Sequence, residues 1–154
     1  MITSSPALFN ALAAIPVLTG LDQPALTLLA EEGKVRNFTA NEWIVREGDA
    51  GHSFFILVSG DVKVIKNADN PNAVALATLR QGNFFGEMCV VDPVPRVASV
   101  RTLTPATVIE IKAATLHRLF QKMPDQYSIV LLNLARDLAR RLRKLDEAFA
   151  ARAS

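Results

Sequence analysis

The feature that most constrains this chain is a series of short strand-like segments lying between two helical ends. These segments hold four to six residues each and are rich in Val, Ile, Phe and Thr: Val35–Phe38, Trp43–Arg46, Phe54–Ser59, Val62–Lys66, Val74–Leu79, Ala98–Arg101 and Thr107–Ile111. Turn-forming clusters such as Glu-Gly-Asp-Ala-Gly and Asp-Asn-Pro-Asn separate them. Many short strands at such regular spacing predict an antiparallel barrel or jelly roll.

The N-terminal segment has helical rather than strand periodicity. Between residues 6 and 32 the apolar side chains recur every three or four positions, which predicts two short helices. Asp22 is a candidate N-cap for the second helix, with Pro24 in its first turn and Gly33 at its end. The predicted fold class is therefore α+β, a jelly-roll-like β-barrel over 34–111 flanked by helices over 1–33 and 112–154. A chain of 154 residues is long enough for one domain with one sizeable core.

The C-terminal segment is predicted to contain a long helix that begins at Pro124 and Asp125. Its apolar positions follow the 4-3-4-3-4 spacing of a paired helix: Leu131, Ala135, Leu138, Leu142, Leu145 and Phe149. These seam residues predict a homodimer, although a helix that packs onto the barrel would have the same pattern. The basic residues of this helix indicate either a solvated face or a surface for an acidic partner: Arg136, Arg140, Arg141, Arg143 and Lys144.

Composition narrows the class of protein. No apolar run approaches the roughly 18–20 residues that a membrane-spanning helix needs. The N-terminus, Met1-Ile-Thr-Ser-Ser-Pro, lacks the basic and apolar stretches of a secretory signal. Cys89 is the only cysteine, so an internal disulfide is impossible and a cytoplasmic location is expected. The net charge of +2 is too small to indicate nucleic acid by itself.

The patterns of common catalytic and metal sites are missing from the sequence. The chain has two histidines, His52 and His117, and no cysteine near either one. A metal-binding barrel would need a cluster of His and carboxylate ligands. The sequence contains no Gly-x-Ser-x-Gly elbow, no Walker-type loop and no His-Glu-x-x-His segment. We therefore expect no enzyme, no bound metal and no cofactor.

One segment, residues 82–100 (GNFFGEMCVVDPVPRVASV), departs from strand patterning. Gly86 and Glu87 open a short helical turn, whose N-terminus would offer free N–H groups to an anion. Gly86 lacks a Cβ and permits close approach of a ligand to the backbone. Arg96 can make charge-assisted hydrogen bonds to a phosphate. Glu87 is ill placed against a phosphate alone but suits a ribose 2′-hydroxyl, so the predicted ligand is a ribonucleotide whose phosphate lies near that hydroxyl.

Residues 85–100 resemble the phosphate-binding cassette of the cyclic-nucleotide-binding domains found in catabolite-activator-type regulators, protein kinase A regulatory subunits and cyclic-nucleotide-gated channels. Residues 46–64 (REGDAGHSFFILVSGDVKV) resemble the Gly-rich turn and hairpin of the same family. The resemblance implies that Gly86 and Glu87 contact the ribose. It also implies that Arg96 and the N–H groups of Met88, Cys89 and Val97 hold the phosphate. The full set of implied ligand contacts is Phe85, Gly86, Glu87, Met88, Cys89, Arg96, Val97, Ala98 and Leu145.

Several cassette residues have a structural interpretation as well. Phe85, Met88 and Val90 fit a core equally, and Cys89 fits as a small buried hydrophobe. His52 stands where kinase-type domains have an acidic residue that braces the cassette arginine; here it could brace Arg96 less well or face water.

Residue 97 bears on the choice of base. Domains of the family that prefer cGMP usually have a Thr there, whose hydroxyl contacts the guanine. Val97 lacks that hydroxyl, so cAMP is favoured over cGMP. Leu145-Asp146 replaces the Thr-Ser pair of bacterial activators, and adenine would meet an apolar lid or a carboxylate.

The resemblance implies a sensor module whose ligand moves the C-terminal helices and so signals to a twin subunit or an unknown downstream protein. One alternative is a domain that keeps this fold for dimerisation or docking and binds no nucleotide. Another is a fragment of a larger regulator or channel. Catabolite activators continue into a helix-turn-helix domain after the long helix, and this sequence stops there, so DNA binding by this stretch alone is not expected. A cyclic dinucleotide fits the tight cassette less well than a single ribose and phosphate.

Overall fold

The computed structural model describes residues 5–92 and 94–153. Residues 1–4, Pro93 and Ser154 lie outside the described part. Residues 1–4 make up most of the N-terminal segment in which no secretory signal was found, and Pro93 belongs to the predicted cassette. Within the described ranges the α-helices are α1 Ser5–Ala13, α2 Gln23–Glu32, α3 Met88–Val91, α4 Ala113–Lys122 and α5 Pro124–Ala153. The strands are β1 Lys34–Phe38, β2 Trp43–Val45, β3 Ser53–Ser59, β4 Val62–Lys66, β5 Val74–Leu79, β6 Phe84–Phe85, β7 Ser99–Thr102 and β8 Ala106–Lys112.

The second N-terminal helix, α2, begins and ends at the residues that the sequence predicted. The Asp22 carboxylate accepts a hydrogen bond from the Ala25 N–H at 3.0 Å, as an N-cap should. The Gly33 N–H donates to the Leu29 carbonyl at 2.8 Å and ends α2. A Cβ on residue 33 would lie 2.7 Å from that carbonyl oxygen, so a close approach and not a left-handed conformation requires glycine there.

The described strands form two antiparallel four-stranded sheets, with orders β1-β8-β3-β6 and β2-β7-β4-β5. Together with the flanking helices and the long α5, they confirm the predicted fold class. The sequence did not predict β6. It holds two residues, between the positive-φ Gly82 and Gly86, and two residues are too few to show an alternating pattern.

The core consists of two hydrophobic clusters that meet at β3. Residues 53–57 of this strand are all buried, because one face lies under the helices and the other lies between the sheets. Phe54 and Ile56 belong to the cluster that includes α1, α2, α4 and α5. Phe55 and Leu57 belong to the cluster between the sheets. A strand buried on both faces has a continuous apolar run, as this one does.

β5 is the edge strand of its sheet and is the most exposed strand of the fold as described. Residues 74–78 are all exposed, with Val74 and Leu76 each 51% accessible, and Leu79 is the buried member of the strand. β5 pairs with β4 on one side. Its other side is therefore an open sheet edge.

α5 starts against the body of the domain and ends in solvent. Val130 and Leu134 are buried, and the Asn133 amide donates to the carbonyls of Val17 and Thr19 at 3.0 and 2.8 Å. Every residue from 142 to 153 is exposed. None of the described helices carries an apolar stretch of the length needed to cross a bilayer.

Candidate functional site

A cavity of about 540 Å³ lies between α3, the inner face of the second sheet and α5. Its lining includes all nine residues that the sequence analysis named as ligand contacts, from Phe85 in β6 to Leu145 in α5. These residues come from three separate parts of the chain, so the fold and not sequence proximity brings them together. The cavity is large enough for a small-molecule ligand.

Arg96 crosses one wall of this cavity. Its Nη1 donates to the Gly86 carbonyl at 3.2 Å, and its Cζ lies 5.5 Å from the centre of the Phe55 ring. The backbone of Arg96 is tied to the Gly-rich turn, because its N–H donates to the Asp49 carbonyl and its carbonyl accepts from the Gly48 N–H, both at 2.8 Å. The side chain is half-buried, and its hydrogen bond to the Gly86 carbonyl uses one of five guanidinium N–H donors, which leaves donors for an anion.

Two glycines form the seat of the Arg96 side chain. A Cβ on Gly51 would lie 2.4 Å from Arg96 Nε, and a Cβ on Gly86 would lie 2.7 Å from Arg96 Nη1. Gly86 also has a φ of +79°, which residues with a side chain rarely adopt. Arg96 can therefore lie flat along the wall only because both positions lack a side chain.

α3 presents its first turn to the cavity. The Val90 N–H donates to the Glu87 carbonyl at 3.0 Å and closes that turn. The N–H groups of Met88 and Cys89 precede this first intrahelical bond, as those at a helix N-terminus do. The helix has only four residues, so its dipole is small and the N–H groups themselves are its main contribution.

Glu87 lies beside a cation of α5 that the sequence analysis did not assign to the site. Its Oε1 is 3.7 Å from Arg141 Nη1, and its side chain is 13% exposed. Arg141 also donates from Nη2 to the Phe84 carbonyl at 3.0 Å, and its Cζ lies 4.6 Å from the Phe84 ring centre. From the sequence, the basic residues of this helix had two interpretations, a solvated face or a surface for an acidic partner. Arg141 fits neither interpretation, because its side chain packs against β6 and the cassette.

Asp137 holds Arg141 from the other side and also lines the cavity. Its Oδ2 is 2.8 Å from Arg141 Nε. The two groups are close enough for an ion pair but not aligned for a hydrogen bond, so this buried oxygen has no hydrogen-bond donor within the described part of the chain. The Arg141 guanidinium compensates the charge of this carboxylate, and a ligand with an N–H or O–H group would add a hydrogen-bond donor to it.

Cys89 carries a half-buried thiol. Its Sγ donates to the Gly86 carbonyl at 3.2 Å. Burial raises the pKa of the thiol above its ordinary value, and the nearby Arg96 guanidinium only partly opposes that shift. The thiol is therefore protonated at neutral pH and is a poor nucleophile.

The apolar residues of the predicted set differ in exposure. Phe85 is buried and stacks on Phe55 with ring centres 5.1 Å apart, so it belongs to the core as well as to the cavity wall. Met88, Val97 and Leu145 are 42%, 51% and 61% exposed, and they leave apolar surface open at the cavity.

The remaining residues discussed from the sequence take these positions. Ala98 is buried in the cavity wall. Val90 packs against the helical core cluster. The His52 side chain is exposed, as expected for a residue that faces water.

The sequence did contain a signal for the residues that were missed. Asp137 and Arg141 precede Leu145 at intervals of four, which places all three on one face of a helix. Since Leu145 was already assigned to the ligand, this face could have been followed back to the other two. Across residues 5–92 and 94–153, no group of three or more His, Cys, Asp or Glu side chains could hold a metal ion.

Comparison with known proteins identifies the family. Residues 35–123 match the family model described as "cyclic nucleotide-binding domain". The chain belongs to the cyclic nucleotide-binding domain family. Domains of this family are regulatory or sensor modules. All nine residues for which the resemblance implied ligand contacts line the cavity described above, and their contacts with a ligand stay a prediction.

Relatives of this cyclic nucleotide-binding domain occur in larger proteins. It is 32% identical over 98 residues to the cGMP-dependent protein kinase, isozyme 1, of Drosophila melanogaster, covering 62% of this chain and 13% of the kinase. It is 27% identical over 135 residues to the CRP-like cAMP-activated global transcriptional regulator of Mycobacterium tuberculosis, covering 88% of this chain and 58% of the regulator. The chain thus spans less than two thirds of either relative.

The fold is also that of a solved domain. A cyclic nucleotide-binding domain from Methylobacillus flagellatus superposes with a TM-score of 0.82 at 22% identity, covering 96% of this chain and 83% of that one. This likeness concerns the fold. It extends over the N-terminal helices and α5 as well as the sheets, beyond the segment matched by the family model.

Proposed function

We propose that this chain is a sensor module that binds a cyclic nucleoside monophosphate, cAMP before cGMP, and catalyses no reaction. The observation that carries the proposal is the position of Arg96, which lies along a wall made of two glycines in the same cavity as Glu87. A cation and a carboxylate in one cavity suit a ligand with both an anion and a hydroxyl donor. A cyclic ribonucleotide has both groups close together.

The phosphate would lie between Arg96 and the start of α3. Arg96 would donate charge-assisted hydrogen bonds to the exocyclic oxygens, each typically worth about 1.5–3 kcal/mol. The N–H groups of Met88 and Cys89, and that of Val97, would complete its coordination. Gly86, with no side chain and a positive φ, permits the approach to the backbone that this requires.

The ribose would lie against Glu87. An ionised carboxylate only accepts hydrogen bonds, so Glu87 selects a ligand hydroxyl over a second phosphate oxygen. A ribose 2′-hydroxyl supplies that donor, whereas a deoxyribose does not. Arg141 Nη1 lies 3.7 Å from Glu87 Oε1 and pairs with this carboxylate at the cavity.

The base would lie between the second sheet and α5. The exposed side chains of Val97 and Leu145 offer apolar contacts to a purine. Val97 provides no hydroxyl for a guanine, which supports cAMP over cGMP. The named relatives include both a cGMP-dependent kinase and a cAMP-activated regulator, so the preference rests on Val97.

Signalling would run through α5, which supplies Leu145 and Arg141 to the cavity. A ligand that contacts both the cassette and α5 can favour one arrangement of the helix over another, and this differential affinity is the requirement for a switch. We propose further that the chain forms a homodimer through the exposed seam residues of α5, works in the cytoplasm with a downstream protein, and binds no DNA through this stretch alone.

The test is a thermal melt of the purified chain with and without cAMP, cGMP and cyclic di-GMP. A ligand at about 100 times its dissociation constant adds roughly 2.7 kcal/mol to the free energy of unfolding. For a domain of this size, the expected shift in Tm is roughly 5–10 °C with cAMP. Arg96→Gln is expected to abolish the shift, and Arg80→Gln is the matched control because Arg80 is exposed and does not line the cavity.

Each outcome separates the alternatives. A larger shift with cGMP would overturn the base assignment and leave the site intact. A larger shift with cyclic di-GMP would show that the ligand is a cyclic dinucleotide and not a cyclic mononucleotide. No shift with any nucleotide at millimolar concentration would favour the second candidate, a cyclic nucleotide-binding fold kept for dimerisation or docking, for which the exposed α5 seam is the supporting observation.

A further inference from the structure

A cluster of cations stands on the outer face of the second sheet, away from the cavity. Trp43 in β2 lies opposite Arg101 in β7, and Arg101 lies opposite Lys63 in β4. The next residues along these strands, including Val62 and Val100, are buried between the sheets, so the row points outward. Arg46 extends the row from the end of β2. We call these four residues, Trp43, Arg46, Lys63 and Arg101, the outer basic row; none of them lines the cavity.

The outer basic row is electrostatically unfavourable in the isolated chain. Arg101 and Lys63 are directly opposed on neighbouring strands, and like charges in that position destabilise a sheet. Neither forms an ion pair within residues 5–92 and 94–153, and Arg101 Nε is buried without a hydrogen-bond partner there. Arg46 pairs with Asp69 at 2.6 Å, but that carboxylate is 78% exposed and its pairing is weak.

Trp43 contacts both arginines of the outer basic row. Arg46 Cζ lies 4.4 Å from the indole centroid and Arg101 Cζ lies 5.3 Å from it. Cation–π contacts at these distances hold the two guanidinium groups in place, so less side-chain entropy is lost when a partner binds them.

We infer that the outer basic row is a docking surface for an acidic segment of another protein, an extended stretch rich in Asp and Glu. Carboxylates would pair with the Arg101 guanidinium and the Lys63 ammonium and relieve the repulsion between the two cations. Nucleic acid fits less well, because two guanidinium groups already contact the indole that would stack on a base. A membrane surface fits less well, because Trp43 is half-buried in a sheet and does not protrude.

The test is fluorescence anisotropy of a labelled oligoglutamate peptide of about ten residues, roughly 30 Å long when extended. The parent chain is expected to bind it at about 50 mM salt and to lose most of that affinity at about 300 mM, because exposed charges are screened. Lys63→Glu is expected to weaken binding by about tenfold, since it replaces an attraction by a repulsion. Lys63→Gln should weaken it less.

Lys112→Glu is the matched control. It changes the net charge by the same amount at an exposed lysine on the other sheet, and it should leave the affinity within about twofold of the parent value. Equal losses in Lys112→Glu and Lys63→Glu would overturn the proposal, as would tighter binding of an oligothymidylate or of phosphatidylserine vesicles by the parent. The result is independent of the nucleotide site, because no residue of the row lines that cavity.

Discussion

At the scale of single residues, the candidate site depends on two glycines, Gly51 and Gly86, which have no side chain. Arg96 lies against Gly51 and Gly86, and a Cβ at either position would overlap the guanidinium at 2.4 or 2.7 Å. The two positions differ in backbone conformation, since Gly86 has a positive φ and Gly51 does not. Gly51 therefore tests the steric requirement by itself.

Gly51→Ala is expected to displace Arg96 and weaken cAMP binding by at least about tenfold, because charge-assisted bonds of about 1.5–3 kcal/mol each would be lost or bent. Isothermal titration calorimetry measures this change. Gly20→Ala is the control: its φ of +94° makes the substitution strained, yet the atom nearest to the new Cβ is Ile129 Cγ2 at 3.5 Å, and neither residue lines the cavity. It should lower Tm and leave the affinity near the parent value. Unchanged binding in Gly51→Ala would show that Arg96 does not need this seat.

At the scale of elements, α5 has two faces with different surroundings. Asp137, Arg141 and Leu145 line the cavity, whereas Leu142 and Phe149 are 58% and 77% exposed. The seam was interpreted either as a dimer contact or as the face by which α5 packs onto the barrel. Packing onto the barrel does not fit the second half of α5, because residues 142–153 are exposed. Pairing with a second copy would cover these apolar side chains, and Leu145 belongs to both the seam and the cavity.

The double variant Leu142→Glu/Phe149→Glu is therefore expected to be monomeric where the parent chain is dimeric, because it places charges in an apolar helix pair. Light scattering after size exclusion measures the mass. Glu147→Lys, a charge change on another face of the same helix, should leave the dimer intact. A monomeric parent at micromolar concentration would contradict the homodimer itself.

The sequence predicted the elements better than the contacts between them. Most strand and helix bounds agree to within one residue, because alternation and capping are local properties. Two features depend on distant contacts and were not predicted: the pairing of β6 with β3, and the hydrogen bond from Arg141 to the Phe84 carbonyl, 57 positions away. The cassette residues that line the cavity were named because they form a contiguous segment that resembles the family's cassette, whereas Asp137 and Arg141, which lie on the helix face of Leu145, were missed.

At the scale of the whole molecule, one ion pair joins the two helical ends of the chain. Arg118 in α4 donates from Nε to both Glu32 oxygens at 2.8 and 3.1 Å, and Thr115 Oγ1 donates to Oε1 at 3.0 Å. The hydrogen bond from Arg118 lowers the pKa of Glu32 below its ordinary value of 4.5, while partial desolvation opposes the shift. These contacts fix the end of α2 against α4 and so place the N-terminal helices relative to the helices that follow the sheets.

This ion pair makes part of the stability dependent on pH. Because the folded state lowers the pKa of Glu32, the contribution is present above pH 4.5 and is lost as pH falls towards the folded pKa. Glu32→Gln is expected to lower Tm by a few degrees at pH 7, for a loss of roughly 1 kcal/mol. The difference from the parent should narrow below about pH 4. Glu31→Gln, at an exposed neighbour, should not show this pattern; a pH-independent deficit in Glu32→Gln would contradict the assignment.

The open edge of β5 also has a consequence for how the protein behaves at high concentration. Its six residues, Val74 to Leu79, include no charged side chain, and residues 74–78 are exposed. Uncharged, flat edge strands are the sites at which sheets of separate molecules join and aggregate. We expect this edge to favour association at high concentration, and a charged residue introduced at Leu76 should raise solubility at the cost of an apolar side chain that lines the cavity.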